Sequence, residues 1–236
     1  MKIVKLIEEL LIVSKTLCSQ MDDKQCSMLR KIRNELIQLA RKKLIKSNHT
    51  IMELIIAAFL IKKGYDISVE KVLEKDLICD IFAEKDGKRL IVEVETGFVP
   101  PSNSLDPILY RVTREISKVV RYSGYAEYFA LATLPYHILQ LPEFLFFPPA
   151  MRSPSLIAKT KALLDKYYKN PPIPVEKIKN AKLDYVYITI VDEYKVIEYT
   201  AKEYYSKFIS SIRINFEKEL RNTSLALLYT NSFSGL

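Results

Sequence analysis

The sequence predicts an α/β protein with a mixed central β-sheet flanked by helices and preceded by an N-terminal helical hairpin. Three observations predict it. Apolar residues recur at helical spacing through residues 1–40, three strand-like runs follow from about residue 65 with an Asp-Gly turn between the second and third, and helices and strands then alternate. The 236 residues suffice for one sizeable core with an appendage, and 49% apolar and 27% charged residues, interspersed along the length, exclude a disordered chain. The expected division is a hairpin over 1–48, a candidate dimerisation element, and an α/β domain over 49–236 with its core at 50–134 and a C-terminal extension.

The hairpin rests on Ile3, Leu6, Ile7, Leu10, Val13 and Leu17, and then on Leu29, Ile32, Leu36 and Leu39 after a polar stretch at 19–24. Its apolar stripe needs a partner, either the main core or the same hairpin of a second subunit. A helix is expected over about 51–63, ended near Gly64, followed by strands near 65–73, 77–84 and 89–96. Asp106-Pro107 reads as an N-cap with proline at the first helical position, opening a helix to about Tyr122, and a strand follows over 127–134. Proline clusters at 142–154 and 171–174 mark connections around one short helix. Strands over 185–191 and 196–200 and a helix over 201 to about 220 complete the chain, and no internal repeat is present.

No apolar run approaches the roughly 18 residues that cross a bilayer, and the first segment carries charges throughout, so neither a signal peptide nor a membrane partner is expected. The formal charge of +8 points to a polyanionic partner, nucleic acid before an anionic membrane, or serves solubility alone. Three cysteines without a Cys/His cluster give no zinc site and suggest a reducing cytoplasm. Cys18 and Cys26 flank the turn of the hairpin and are either bridged or two separate thiols. His49 and His137 stand isolated in the sequence and read as surface or hydrogen-bonded residues.

The strongest local signal is Asp86-Gly87, which suits a two-residue type I′ turn and sets a register in which opposed residue numbers sum to 173. Lys85 then faces Lys88, Ala83 faces Leu90, and Asp80 faces Glu93. Alternation places Glu95 on the same side with Ile78, Phe82 and Ile91, while Leu77, Cys79, Ile81, Leu90, Val92 and Val94 cover the other. Opposed carboxylates within apolar strands cost roughly 0.2 to 1 kcal/mol when exposed and far more when buried. A divalent cation offsets that cost, and Mg²⁺ is suited to a few carboxylates with its other positions left to water and phosphate. The competing reading is a solvent-facing hairpin side with ordinary surface acids.

An acid on a preceding helix (Glu53), an Asp on a strand (Asp80 in Ile78-Cys79-Asp80), Glu-x-Glu on the next strand (Glu93-Val94-Glu95), then a basic helix and a strand together resemble the PD-(D/E)xK nuclease superfamily. The likeness is to its archaeal Holliday-junction-resolvase-like and crenarchaeal virus branches and covers about residues 50–134. It implies a restriction-endonuclease-like αβββαβ core. Cys79 stands where the motif has proline, and Glu95 where it has the lysine that orients the attacking water. Lys118 is the candidate substitute, because Arg111, Arg114, Lys118 and Arg121 form one stripe on the expected helix, opposite Val112, Ile116, Val119 and Val120. That stripe either grips phosphates or is the solvated side of an amphipathic helix. Glu53 likewise has two readings, a metal-site acid or the far end of a Thr50–Glu53 capping box.

The resemblance implies a Mg²⁺- or Mn²⁺-dependent endodeoxyribonuclease with Asp80, Glu93 and Glu53 holding metal. Glu95 and Lys118 would position the water, and Arg111, Arg114, Lys118 and Arg121 would bind the DNA backbone. Branched or junction DNA and a two-fold homodimer are the expected substrate and assembly. The rival is a catalytically inactive DNA-binding protein on the same fold, favoured by the absent lysine.

Overall fold

The computed structural model describes residues 2–45 and 49–210. Its elements begin with helices α1 (Lys2–Cys18), α2 (Asp23–Arg41) and α3 (Thr50–Lys62), then strands β1 (Asp66–Glu74), β2 (Leu77–Lys85) and β3 (Lys88–Glu95). Helix α4 (Pro107–Tyr122) leads to β4 (Tyr128–Thr133), helices α5 (Pro154–Leu164) and α6 (Val175–Asn180) follow, and β5 (Tyr185–Ile190), β6 (Lys195–Thr200) and α7 (Ala201–Tyr204) end the described chain. Helix α6 lies beyond the second proline cluster, where no helix was expected. After α7 the chain continues as one π-helical turn, Tyr205–Ile209. The rest of the expected C-terminal helix, from 211, lies outside the described residues.

The six strands form one sheet in sequence order, β1 to β6. Strands β1, β2 and β3 are an antiparallel meander, and β3 pairs with β4 in parallel, so the sheet is mixed. A parallel pair needs a crossover connection, which the segment carrying α4 supplies. The turn chemistry is as expected: Asp86 and Gly87 have φ of 51° and 73°, the positive values a type I′ turn requires. β1 is an edge strand carrying Asp66, Glu70, Lys71 and Glu74, charges that discourage pairing with another chain.

The chain forms two compact units, each discontinuous in sequence. Of the described residues, the first takes 2–45, 49–96, 125–137 and 187–198, and so holds α1 to α3 and most of the sheet. Within it α1, α2 and α3 pack on one another, and α2 and α3 also pack on the meander. Leu6, Leu10, Val13 and Leu17 are buried, so the stripe of α1 finds its partner in its own chain. Cys18 and Cys26 are joined by a disulfide between the end of α1 and the first turn of α2. Asp22 caps α2 through a reciprocal capping box with Gln25.

Of the described residues, the second unit takes 97–124, 138–186 and 199–210. In it α4 buries Leu109, Val112, Ile116, Val119 and Val120, and Asp106 caps its start by accepting from the Leu109 amide at 3.2 Å. Arg152 is buried with its Nη1 donating to the carbonyls of Ile178 and Lys179 at 2.9 Å each, closing the end of α6. Desolvation pushes that guanidinium down to about 10.

Candidate metal centre

Strand β3 is buried from Leu90 to its end, and it is flanked by β2 on one side and β4 on the other. A strand buried on both faces reads as a continuous apolar run, and Leu90, Ile91, Val92 and Val94 fit that rule. Glu93 and Glu95, each 2% exposed, do not. The reading of these acids as ordinary surface residues is thereby excluded. Burying two carboxylates side by side in one strand is costly unless something compensates the charge.

The backbone ladder between β2 and β3 runs from Lys85↔Lys88 to Ile81↔Val92, as the turn dictates. It does not extend to Asp80 and Glu93. There side chains take over: the Asp80 amide donates to Glu93 Oε1 at 3.1 Å, and the Val94 amide donates to Asp80 Oδ2 at 2.6 Å. Beyond this point β2 pairs with β1, while β3 pairs with β4 through Glu93↔Leu131 and Glu95↔Thr133. The two strands fork, and the carboxylates of Asp80 and Glu93 sit in the crotch. The expected register holds as far as Ile81↔Val92; Asp80 and Glu93 lie just beyond it, outside the backbone ladder, and each carboxylate bonds a backbone amide of the facing strand.

Helix α3 supplies the third acid. Glu53 is fully buried, and its Oε1 meets His49 Nδ1, one helical turn earlier. The capping-box alternative is not realised, because His49 rather than Thr50 is the N-cap and the His49 side chain makes no cap hydrogen bond. Thr50 is instead the first helical residue and is itself buried. The reason is packing: nearly every residue of α3 from Met52 to Ile61 is buried, so Glu53 cannot fold back toward solvent. His49, Glu53 and Asp80 each present one ligand atom, and these atoms lie within 4.8 Å of one another.

The structure therefore brings Glu53 and Asp80 together with His49, which the sequence reading left aside. The signal was present as an i, i+4 pair at a helix start. Glu93 lies at the same fork, its Oε1 directed to the Asp80 amide, and Glu95 lies two residues further along β3. The electrostatic consequence is visible at Cys79: burial first, then the charges of Glu93 and Asp80, push its thiol up to about 12. A lysine not singled out from sequence, Lys71 on β1, places its ammonium 3.5 Å from the centroid of the Phe82 ring on β2. Arg111, Arg114, Lys118 and Arg121 all lie on α4 in the second unit, and each is half-buried rather than fully solvated. Arg121 stacks near the rings of Tyr122 and Tyr168.

No family model matches the chain, and no curated protein matches it. Among solved structures, a chain of a CdiA-CT/CdiI toxin and immunity complex from Burkholderia pseudomallei is similar at 17% identity and a TM-score of 0.27, covering 65% of this chain and 86% of that one. Among the described residues no helix is long and apolar enough to cross a membrane.

Proposed function

We propose that the protein is a metal-dependent nuclease acting on DNA phosphodiester bonds at the fork between β2 and β3. The observation that carries this reading is the gathering of His49, Glu53 and Asp80 within ligand distance beside a buried acidic strand. One imidazole nitrogen and two carboxylates form a donor set that a divalent cation such as Mg²⁺ or Mn²⁺ accepts, and its charge would offset the burial of the acids. A bound dication supplies charge stabilisation for the phosphate and lowers the pKa of a water.

The remaining roles belong to the chain. The Val94 amide donates to the Asp80 carboxylate and holds it in one orientation, while Glu93 accepts from the Asp80 amide and fixes the backbone there. Glu95 would orient the attacking water and accept its proton as the water oxygen forms a bond to phosphorus and the bond to the leaving sugar oxygen breaks. That leaving oxygen takes a proton from solvent. Arg111, Arg114, Lys118 and Arg121, the basic stripe of α4, would bind backbone phosphates. Branched DNA is the proposed substrate shape. A homodimer is the proposed assembly, with Val4, Leu11 and Ile12 as the apolar side chains that α1 leaves exposed.

The test is cleavage of labelled linear, flapped and four-way-junction DNA with Mg²⁺, Mn²⁺ or EDTA, comparing the native chain with Asp80→Ala and Glu93→Ala. Metal-dependent cutting lost in both variants is the expected result. Glu95 in the place of a lysine favours a second reading, an inactive DNA-binding protein. Under that reading DNA is bound but never cut, and both substitutions leave the affinity unchanged or raised.

A further inference from the structure

Resting on that reading of the site, we propose that it selects a first-row transition-metal dication such as Mn²⁺ over Mg²⁺, and that His49 sets the choice. Mg²⁺ takes oxygen donors and releases its water reluctantly, whereas an imidazole nitrogen is a good ligand for Mn²⁺ and the heavier ions of its row. A site built for Mg²⁺ needs carboxylates alone, and two further carboxylates, Glu93 and Glu95, lie close by on β3. One of them is already committed, since Glu93 Oε1 accepts from the Asp80 amide. The donor that joins Glu53 and Asp80 within 4.8 Å is instead the ring of His49.

His49 is held there by the helix itself. Its carbonyl accepts from the Glu53 amide at 3.0 Å, the first bond of α3, which fixes the residue one turn ahead of Glu53. Its side chain is only 15% exposed. Capping does not account for the residue, because its side chain makes no cap hydrogen bond and the Thr, Ser, Asp and Asn side chains that do so are absent from the position. A ring placed against a fully buried carboxylate, next to a second carboxylate from a different element, has the geometry of a mixed nitrogen and oxygen ligand set.

Mn²⁺ binding to the full-length chain without DNA tests this, read from the loss of the free-ion electron paramagnetic resonance signal with Mg²⁺ as competitor. For the native chain, displacing half the Mn²⁺ should take on the order of 100-fold more Mg²⁺. His49→Asp keeps a ligand but makes it oxygen, and should still bind Mn²⁺ while the excess needed falls to about tenfold or less. Spin-echo modulation from a directly bound nitrogen should appear with the native chain and vanish in His49→Asp, a signature that a merely structural histidine would not produce. The proposal is overturned by a native excess within about tenfold, by an unchanged excess in His49→Asp, or by absent nitrogen modulation. Selective Mn²⁺ binding without any DNA cleavage would instead sink the nuclease reading and leave this one standing, and no Mn²⁺ binding at all would remove both.

Discussion

Neutralising Asp80 should stabilise the protein without metal and destabilise it, relative to the native chain, once metal is added. Asp80 and Glu53 present ligand oxygens within 4.8 Å of each other, and Glu53 is fully buried. Two unit charges at that separation repel by about 3.5 kcal/mol at an effective dielectric of about 20. Asp80 is half-buried and His49 pairs with Glu53, so the relief expected from Asp80→Asn is smaller, about 1 to 2 kcal/mol. The amide oxygen of asparagine can still accept from the Val94 amide, so the fork keeps its hydrogen bond. With a divalent cation at about 100 times its dissociation constant, the native chain gains about 2.7 kcal/mol and the variant little, which reverses the order. Thermal unfolding in EDTA and in Mn²⁺ measures both states, each kcal/mol amounting to about 2 to 4 °C at this size. If Asp80→Asn is less stable than native in EDTA and Mn²⁺ leaves the native melting temperature unmoved, then the acids are held by something other than a metal and the site is misread.

The disulfide closes a short loop between α1 and α2, and a chain-entropy estimate gives it about 2.5 kcal/mol. Cys18→Ser should lose roughly that stability and become insensitive to reductant, and the denatured, unreduced native chain should show one reactive thiol, Cys79, of its three cysteines. Two or three reactive thiols would show that the bridge does not form. On the surface, Arg89 clamps Glu127 through Nη2 at 2.7 Å and Nε at 3.0 Å, which ties the start of β3 to the residue before β4 and holds the Glu127 carboxyl down to about 2. A depressed carboxylate contributes stability above its unfolded pKa of 4.5 and loses it as pH falls through about 2. The advantage of the native chain over Glu127→Gln should therefore be present at pH 6 and disappear between those two values, and an advantage that persists to pH 2 would assign it to packing instead.

What could be read from the sequence alone was local. Helical spacing located α1 to α4, because each apolar stripe recurs within one or two turns of the same segment. Asp86-Gly87 determined the pairing of β2 with β3 down to the residue, since a two-residue turn leaves a single register: Lys85 meets Lys88 and Ile81 meets Val92 as expected. The same register put Asp80 and Glu93 opposite each other. Tertiary structure decided where those acids sit. That β3 is an interior strand buried from Leu90 to its end, so that Glu93 and Glu95 are dry, is a long-range outcome: its second neighbour, β4, lies dozens of residues away in the chain. The ladder between β2 and β3 ends at Ile81↔Val92, and past it the Asp80 and Glu93 side chains take the amides of the facing strands, which the turn pattern alone does not contain. Glu53 had two local accounts, a metal-site acid slightly favoured over a capping box, and the structure removes the capping box by making His49 the N-cap and burying the helix start. His49 became part of the site for the same reason: its spacing from Glu53 is visible in the sequence, but its approach to Asp80 is created by packing a helix start against a strand, and no periodicity along the chain encodes that distance.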